Sequence, residues 1–116
     1  MPVMQDRKPQ NFEEFWPFYV SQHSSRANRR LHFLGTSLAF LSLGVAAILE
    51  RPVFLLAAVI AGYLPSWIGH FTIEHNRPAT LTAPLWSLRA DLRMFYLMLN
   101  GKMDAEIERL GRVDQR

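Results

Sequence analysis

The feature that most constrains this chain is an apolar tract of 43 residues, Leu31 to Ile73, whose only formal charges are the adjacent Glu50 and Arg51. On each side of that charged pair lies an apolar run that can cross the roughly 30 Å hydrocarbon core of a bilayer, since a helix rises about 1.5 Å per residue. Pro52 interrupts the first helix and suits the start of the second. The tract therefore predicts a two-helix transmembrane hairpin.

The sequence on either side of the tract predicts further helices. Aromatic residues at helical spacing predict a helix over 12–23, and apolar residues three and four apart predict an amphipathic or partly inserted helix over 84–100. With membrane helices over 25–49 and 53–75 and a polar tail over 102–116, the expected fold is all-α. It is a small integral membrane bundle, a single domain of residues 1–116, with interfacial helices beside the hairpin. An ordinary aromatic core helix is the alternative for 12–23.

Charge and composition narrow the class of protein. The excess of 13 Lys and Arg over 10 Asp and Glu forms no nucleic-acid-binding stripe. It lies almost wholly on one side of the hairpin, so both termini are expected in the cytoplasm. No cleavable signal peptide is expected. The lack of cysteine leaves His, Asp and Glu as metal ligands. Small residues in the first apolar run suit close packing between helices, which is compatible with a homo-oligomer.

His32 and His70 lie near the two ends of the apolar tract, far from its central charged pair. Counted from Arg51, His32 lies nineteen residues back and His70 nineteen residues forward, so an antiparallel hairpin brings both imidazoles to the same height. Glu74 follows His70 by one helical turn, and His23 lies just upstream. Ionisable groups at the ends of membrane helices are costly unless they are paired, so these residues predict a functional site. The alternative is that both imidazoles simply face lipid headgroups and water.

The same residues fall within two recognisable blocks. The first, FYVSQHSSRANRRLHFLGT, has the spacing H-x4-N-x3-H, and the second, WIGHFTIEHNRPATL, has the spacing G-H-x3-E-x-x-R-P-A; PLWSLRADLRMF follows. In these blocks, and over Phe12 to Leu99, the chain resembles the Mpo-like family of 2-hydroxy fatty acid dioxygenases. The resemblance implies membrane helices that hold iron(II) with histidines. It also implies an activity that uses molecular oxygen to shorten a 2-hydroxy fatty acid by one carbon.

Residue by residue, the resemblance implies a site built from both blocks. It implies metal-binding and catalytic roles for His23, His32 and His70, with Glu74 as a further ligand or as an acceptor that orients the ligands. Asn28 and Arg77 match the blocks as well and are candidate substrate-binding residues. At His75 relatives usually have Lys or Arg. A helical wheel turns His75 about 100° from Glu74, so it is expected to be a solvated neighbour.

The function expected from these features is an iron(II)-dependent dioxygenase in a lipid bilayer, with a 2-hydroxy fatty acid and molecular oxygen as substrates. Imidazole and carboxylate ligands with open coordination positions suit non-haem iron(II). Zinc is the less favoured metal because it undergoes no redox change, and it would suit a lipid hydrolase. A third class is a non-enzymatic membrane module that binds lipid or a partner protein and in which the histidines are structural.

Overall fold

A computed structural model describes residues 8–114, and every regular element in that range is helical, in agreement with the predicted fold class. Two compact units are present: His23–Pro78, and a second unit formed by the chain before His23 together with the chain from Ala79 onward. Residues 1–7 and 115–116 lie outside the described range, and with them both termini and the last two positions of the predicted tail.

The helices follow the predicted order. They are α1 (Phe12–Ser21), α2 (Arg26–Leu49), α3 (Val53–Gly69), α4 (Pro84–Leu99) and α5 (Met103–Asp114). A π-helical turn, His70–Glu74, continues α3, and a short 3-10 turn, Ala79–Leu81, precedes α4.

The unit His23–Pro78 is a helical hairpin of α2 and α3. Glu50 ends α2 in the left-handed conformation, with φ at 52°, and Pro52 occupies the N-cap of α3. The two helices pack closely at Gly35, where a Cβ would lie only 2.7 Å from the carbonyl oxygen of Ala61. Nearer the tip, Gly44 has nothing within 4 Å of the position of a Cβ. An open groove of about 350 Å³ lies at the tip, lined by Leu43, Ala46, Ala47, Glu50, Arg51, Pro52 and Leu55.

Apolar side chains cover much of the outer surface of this hairpin. Leu41 on α2 is 64% exposed, Ile48 is 81% exposed, and Leu56 on α3 is 61% exposed. Two helical stretches, Arg26–Leu49 and Val53–Glu74, are long and apolar enough to cross a membrane. By length and composition, the described part of the chain thus contains the two candidate spans that the sequence predicts.

The end of the second candidate span departs from a regular helix. The sequence predicts one helix over 53–75, whereas the α-helical pattern stops at Gly69 and the next five residues form the π-helical turn. His75 follows in the left-handed conformation, with φ at 57°, and the backbone N–H of Asn76 donates to the carbonyl oxygen of His70 at 2.9 Å. The left-handed residue and this backbone bond end the helix beside His70.

The second unit contains α1, α4 and α5 around an aromatic core. Asn11 caps α1 by accepting a hydrogen bond from the backbone N–H of Glu14 at 2.9 Å, and the helix continues through Pro17 to Ser21. The buried residues of its core are Phe12, Phe15, Trp16, Tyr19, Val20, Ala79, Ala90, Met94 and Met103. The aromatic residues that predict α1 therefore pack inside this unit.

Polar contacts join α1 to the charged side of α4. The Tyr19 hydroxyl donates to Asp91, and the guanidinium groups of Arg89 and Arg93 lie over the rings of Phe12 and Trp16, 4.0 and 4.7 Å from the ring centres. Such cation–π contacts favour the orientation in which the α4 arginines face aromatic rings. An apolar stripe of α4 is left exposed, formed by Leu85, Leu88, Leu92, Tyr96 and Leu99.

Candidate metal centre

Three buried imidazoles meet in the unit His23–Pro78. His23 lies in the joint before α2, His32 lies in the second turn of α2, and His70 opens the π-helical turn. Their exposed fractions are 0%, 6% and 2%, so water does not solvate them from the surface. The ring centres are 4.5 Å apart for His23 and His32, 4.5 Å for His23 and His70, and 5.4 Å for His32 and His70. The hairpin thus brings together two distant parts of the sequence at its open end.

The imidazoles face one another through ring nitrogens. Nε2 of His32 lies 3.0 Å from Nε2 of His23 and 3.4 Å from Nε2 of His70, and one ring nitrogen from each residue lies within 4.8 Å of the other two. Nitrogens about 2.1 Å from one ion are about 3.0 Å apart at neighbouring octahedral positions and about 3.4 Å apart at tetrahedral ones. The separations therefore fit three ligands of a single metal ion.

Two polar contacts lie beside the His cluster, one to the ring of His70 and one to the backbone that carries His23. Nδ1 of His70 lies 2.6 Å from the side-chain oxygen of Asn76. The buried guanidinium of Arg29 donates through Nη1 to the backbone carbonyls of His23 at 2.7 Å and Ser24 at 2.9 Å. Arg29 therefore holds the joint that carries His23, although its sequence position predicts only a cytoplasmic charge.

Glu74 lies outside the group of three ring nitrogens and binds the start of α2. Its carboxylate accepts hydrogen bonds from the Ser24 hydroxyl at 2.7 Å and the Ser25 backbone N–H at 2.8 Å, and from the Asn28 amide at 3.2 Å. A carboxylate is favourable at the N-terminus of a helix, where backbone N–H groups lack partners. These contacts of Glu74 are with residues at the start of α2, and the two roles that the resemblance implies for it stay predictions.

Asn28 is fully buried beside the cluster, four residues before His32. Its side-chain oxygen has no hydrogen-bond donor and packs against Gly69, the residue before His70. A Cβ on Gly69 would lie only 1.9 Å from that oxygen. Asn28 therefore joins α2 to the end of α3 in two ways, through contact with Gly69 and through the hydrogen bond to Glu74.

The other two residues considered from the sequence lie at the surface. The side chains of His75 and Arg77 are both exposed. His75 follows the π-helical turn in the left-handed conformation and is exposed, whereas His70, five positions earlier, is buried. Arg77 lies seven positions after His70 in the sequence.

Comparison with known proteins indicates the family to which this protein belongs. The family model described as 2-hydroxy-palmitic acid dioxygenase Mpo1-like matches residues 9–103. The chain belongs to this family. No curated protein and no solved structure gives a significant match. The family's name points to dioxygenase activity and to a 2-hydroxy fatty acid as substrate, and the three buried histidines can hold a metal ion.

The sequence gives little sign of two residues that make contacts at this site, Asn76 and Arg29. Asn76 is six positions from His70, a separation that no helical periodicity pairs; the two residues meet where the helix ends at the left-handed residue His75. Arg29 is one of three arginines that precede the apolar tract, and the sequence does not distinguish it from Arg26 and Arg30. Its burial does, since Arg26 and Arg30 are exposed.

Proposed function

We propose that this member of the Mpo1-like family is an iron(II)-dependent dioxygenase that shortens a 2-hydroxy fatty acid by one carbon. The observation that carries the proposal is the convergence of three buried imidazoles, with ring nitrogens within 4.8 Å of one another, in a chain of this family. With one molecule of oxygen per turnover, the atoms balance when the excised carbon leaves as carbon dioxide together with one molecule of water.

Three neutral nitrogen ligands fit the proposed metal. His23, His32 and His70 would hold it, and their burial keeps bulk water away from the site. A bound iron(II) ion supplies open coordination positions and a redox change, which are the properties that chemistry with molecular oxygen requires. Glu74 and Arg29 support the site without holding the metal. Glu74 binds the start of α2, and Arg29 binds the joint before it.

Substrate recognition in this proposal uses the exposed basic residues around the site. A 2-hydroxy fatty acid carries a carboxylate, which arginine binds well because two N–H groups match its two oxygens. Arg77 follows the π-helical turn, and Arg26 and Arg30 lie on the first turns of α2; all three are exposed. Asn28 is fully buried and donates to Glu74, so its proposed role is to position the turn rather than to meet substrate from solvent.

The membrane is the proposed environment. The two candidate spans and their exposed leucine and isoleucine side chains support a hairpin in the bilayer, with both termini in the cytoplasm because the basic residues cluster away from the tip. The apolar stripe of α4 supports an interfacial helix, since the α4 arginines are already held on aromatic rings. Reporter fusions at each terminus test the topology; opposite locations, or both outside, would contradict it.

The decisive experiment combines metal analysis with turnover. Protein purified in detergent is expected to contain iron and, with a 2-hydroxy fatty acid, to consume oxygen and release an acid one carbon shorter. The unhydroxylated fatty acid is the substrate control, and an anaerobic incubation is the oxygen control. Turnover without oxygen, or none with iron bound, would contradict the proposal. Protein that holds no metal and turns nothing over would instead fit a lipid- or partner-binding module.

The ligand type supports a second candidate, a zinc-dependent lipid hydrolase. Three histidines are also the ligand set of catalytic zinc in carbonic anhydrase, where the metal lowers the pKa of bound water. Within the described residues, the ring-nitrogen group contains no carboxylate that would favour the common iron-binding triad of two histidines and one acid. Zinc in the purified protein, together with ester cleavage that needs no oxygen, would identify this activity instead.

A further inference from the structure

We propose that Asn76 is a positioning residue that fixes the tautomer of His70, so that Nε2 of His70 is ready to bind the metal. The inference rests on the proposed function for its purpose but on the geometry of the turn for its mechanism. Nδ1 of His70 and the side-chain oxygen of Asn76 are 2.6 Å apart, a short hydrogen-bond distance.

The chemistry of this pair determines which ring nitrogen carries the proton. The amide oxygen of Asn76 only accepts hydrogen bonds, so Nδ1 of His70 must be the donor. A neutral imidazole carries one N–H, which leaves a lone pair on Nε2. That nitrogen lies 3.4 Å from Nε2 of His32, inside the cluster. The contact with Asn76 therefore selects the tautomer that can ligate a metal from this position.

The way the helix ends after the π-helical turn makes the contact possible. In a continuous α-helix, six residues advance about 9 Å along the axis, too far for Asn76 to reach the ring of His70. Here His75 adopts the left-handed conformation, and the Asn76 backbone N–H donates to the His70 carbonyl oxygen at 2.9 Å. Because that backbone bond does not involve the side chain, the turn is expected to persist when the side chain is replaced.

The amide also suits the charge of the site. Metal-binding histidines usually donate their second N–H to a carboxylate, a backbone carbonyl or water, and loss of such a partner typically lowers metal affinity by about 10- to 100-fold. An asparagine provides the acceptor without placing a negative charge beside His70. The nearby carboxylate, Glu74, is engaged by Ser24, Ser25 and Asn28. Asn76 is therefore a separate determinant from Glu74.

The test compares Asn76→Leu, which removes the acceptor at similar size, with Asn76→Asp, which keeps it. Asn100→Leu, at the exposed end of α4, is the matched control. Full-length protein labelled with 15N-histidine contains four imidazoles, so the tautomer of His70 can be followed by NMR in the metal-free state. Affinity for Co²⁺, an air-stable substitute for iron(II), is the second measurement.

The wild-type protein and the Asn100→Leu variant are expected to hold the His70 proton on Nδ1. Asn76→Leu should shift it toward Nε2 and lower Co²⁺ affinity by about 10- to 100-fold, and Asn76→Asp should restore both. An unchanged tautomer in Asn76→Leu, or loss of Co²⁺ binding in Asn76→Asp as well, would overturn the assignment. If wild-type protein binds no metal, the proposed function fails, whereas the NMR result still decides the role of Asn76.

Discussion

The side-chain oxygen of Asn28 occupies the space beside Gly69 where any other residue would place its Cβ. The built Cβ lies 1.9 Å from that oxygen and 2.9 Å from the Asn28 Cγ. Since Asn28 precedes His32 by one turn of α2 and Gly69 precedes His70, this contact limits how closely the segments that carry His32 and His70 approach. Glycine at position 69 is thus required by packing rather than by backbone conformation.

Gly69→Ala is therefore expected to displace Asn28 from Glu74 and to move His70 away from His32. The loss should be about 1–3 kcal/mol of unfolding free energy, because a buried amide then lacks its partner, and metal content should fall with it. Gly44→Ala is the matched control, since nothing lies within 4 Å of its Cβ position. Thermal unfolding in detergent and metal analysis measure both effects. Equal behaviour of the two variants would refute the packing argument.

Single substitutions of the histidines should separate the buried cluster from its exposed neighbour. Replacing His23, His32 or His70 with alanine removes one of three ligands, and we expect each variant to lose most of its metal and its activity. His75→Ala should keep both, because that side chain is exposed. Metal content per protein is the measurement. If His75→Ala is the only variant that loses its metal, the proposed set of three ligands is wrong.

Glu74→Gln tests whether the carboxylate binds metal or holds the start of α2. The amide keeps one oxygen for the Ser25 backbone N–H and the Asn28 amide, while its NH2 group can donate to the Ser24 hydroxyl. We therefore expect Glu74→Gln to retain its metal, whereas Glu74→Leu, which cannot accept any of these bonds, should lose stability and metal together. Loss of metal from the Gln variant at unchanged thermal stability would instead make Glu74 a ligand.

Asp91 should make the stability of the α1–α4–α5 unit depend on pH. Burial raises the pKa of Asp91 to about 7, and the hydrogen bond from Tyr19 offsets this only in part. An unfolded carboxyl ionises near pH ~4, so the folded unit binds an extra proton between about pH 4 and 7 and loses stability as the pH rises through that window.

Asp91→Asn should remove this slope, since the amide oxygen can still accept from Tyr19 and carries no charge. Denaturant unfolding followed by tryptophan fluorescence at pH 5 and pH 8 measures the difference. Asp104→Asn, at an exposed carboxyl of α5, is the control. A wild-type protein that is more stable at pH 8 than at pH 5, with the same trend in Asp91→Asn, would argue against the assignment.

The bilayer proposal makes a prediction at the middle of α3. Val59 is 55% exposed, so its side chain would face lipid tails. Val59→Asp should cost about 2.5–3.5 kcal/mol of insertion free energy, by translocon-type scales, and reduce the membrane-integrated fraction. Val59→Leu, which stays apolar, should behave as wild type. Carbonate washing measures that fraction, and release of the wild-type protein by the wash would show that the hairpin is not an integral membrane element.

Counting residues was enough to predict that His32 and His70 lie at matching heights, because a hairpin of two straight helices has one free parameter, the position of its tip. The same reasoning does not determine the role of Glu74. It treats the segment as an α-helix in which Glu74 shares a face with His70, whereas the π-helical turn directs Glu74 to Ser24 and Ser25. A single added residue per turn leaves no trace in hydrophobic periodicity.

The contacts of the α4 arginines were also beyond the sequence. Arg89 and Arg93 interrupt its apolar pattern, and charged residues at such positions are ordinarily expected on the solvent side. In the structure both arginines are exposed, as that pattern predicts, and they also lie over the rings of Phe12 and Trp16. The pairing depends on aromatic residues more than 70 positions away, which no local pattern of α4 encodes.

The helices α2 and α3 pack closely at Gly35, on the side of the His cluster, and an open groove lies at the tip of the hairpin. Membranes differ in hydrocarbon thickness, and a spanning helix pair adapts by tilting or bending at a modest energetic cost per ångström of mismatch. If the hairpin spans a bilayer as proposed, we expect that adjustment at the tip, where the groove leaves room for the helix ends to move. The spacing of the three imidazoles would then not depend on the thickness of the surrounding bilayer.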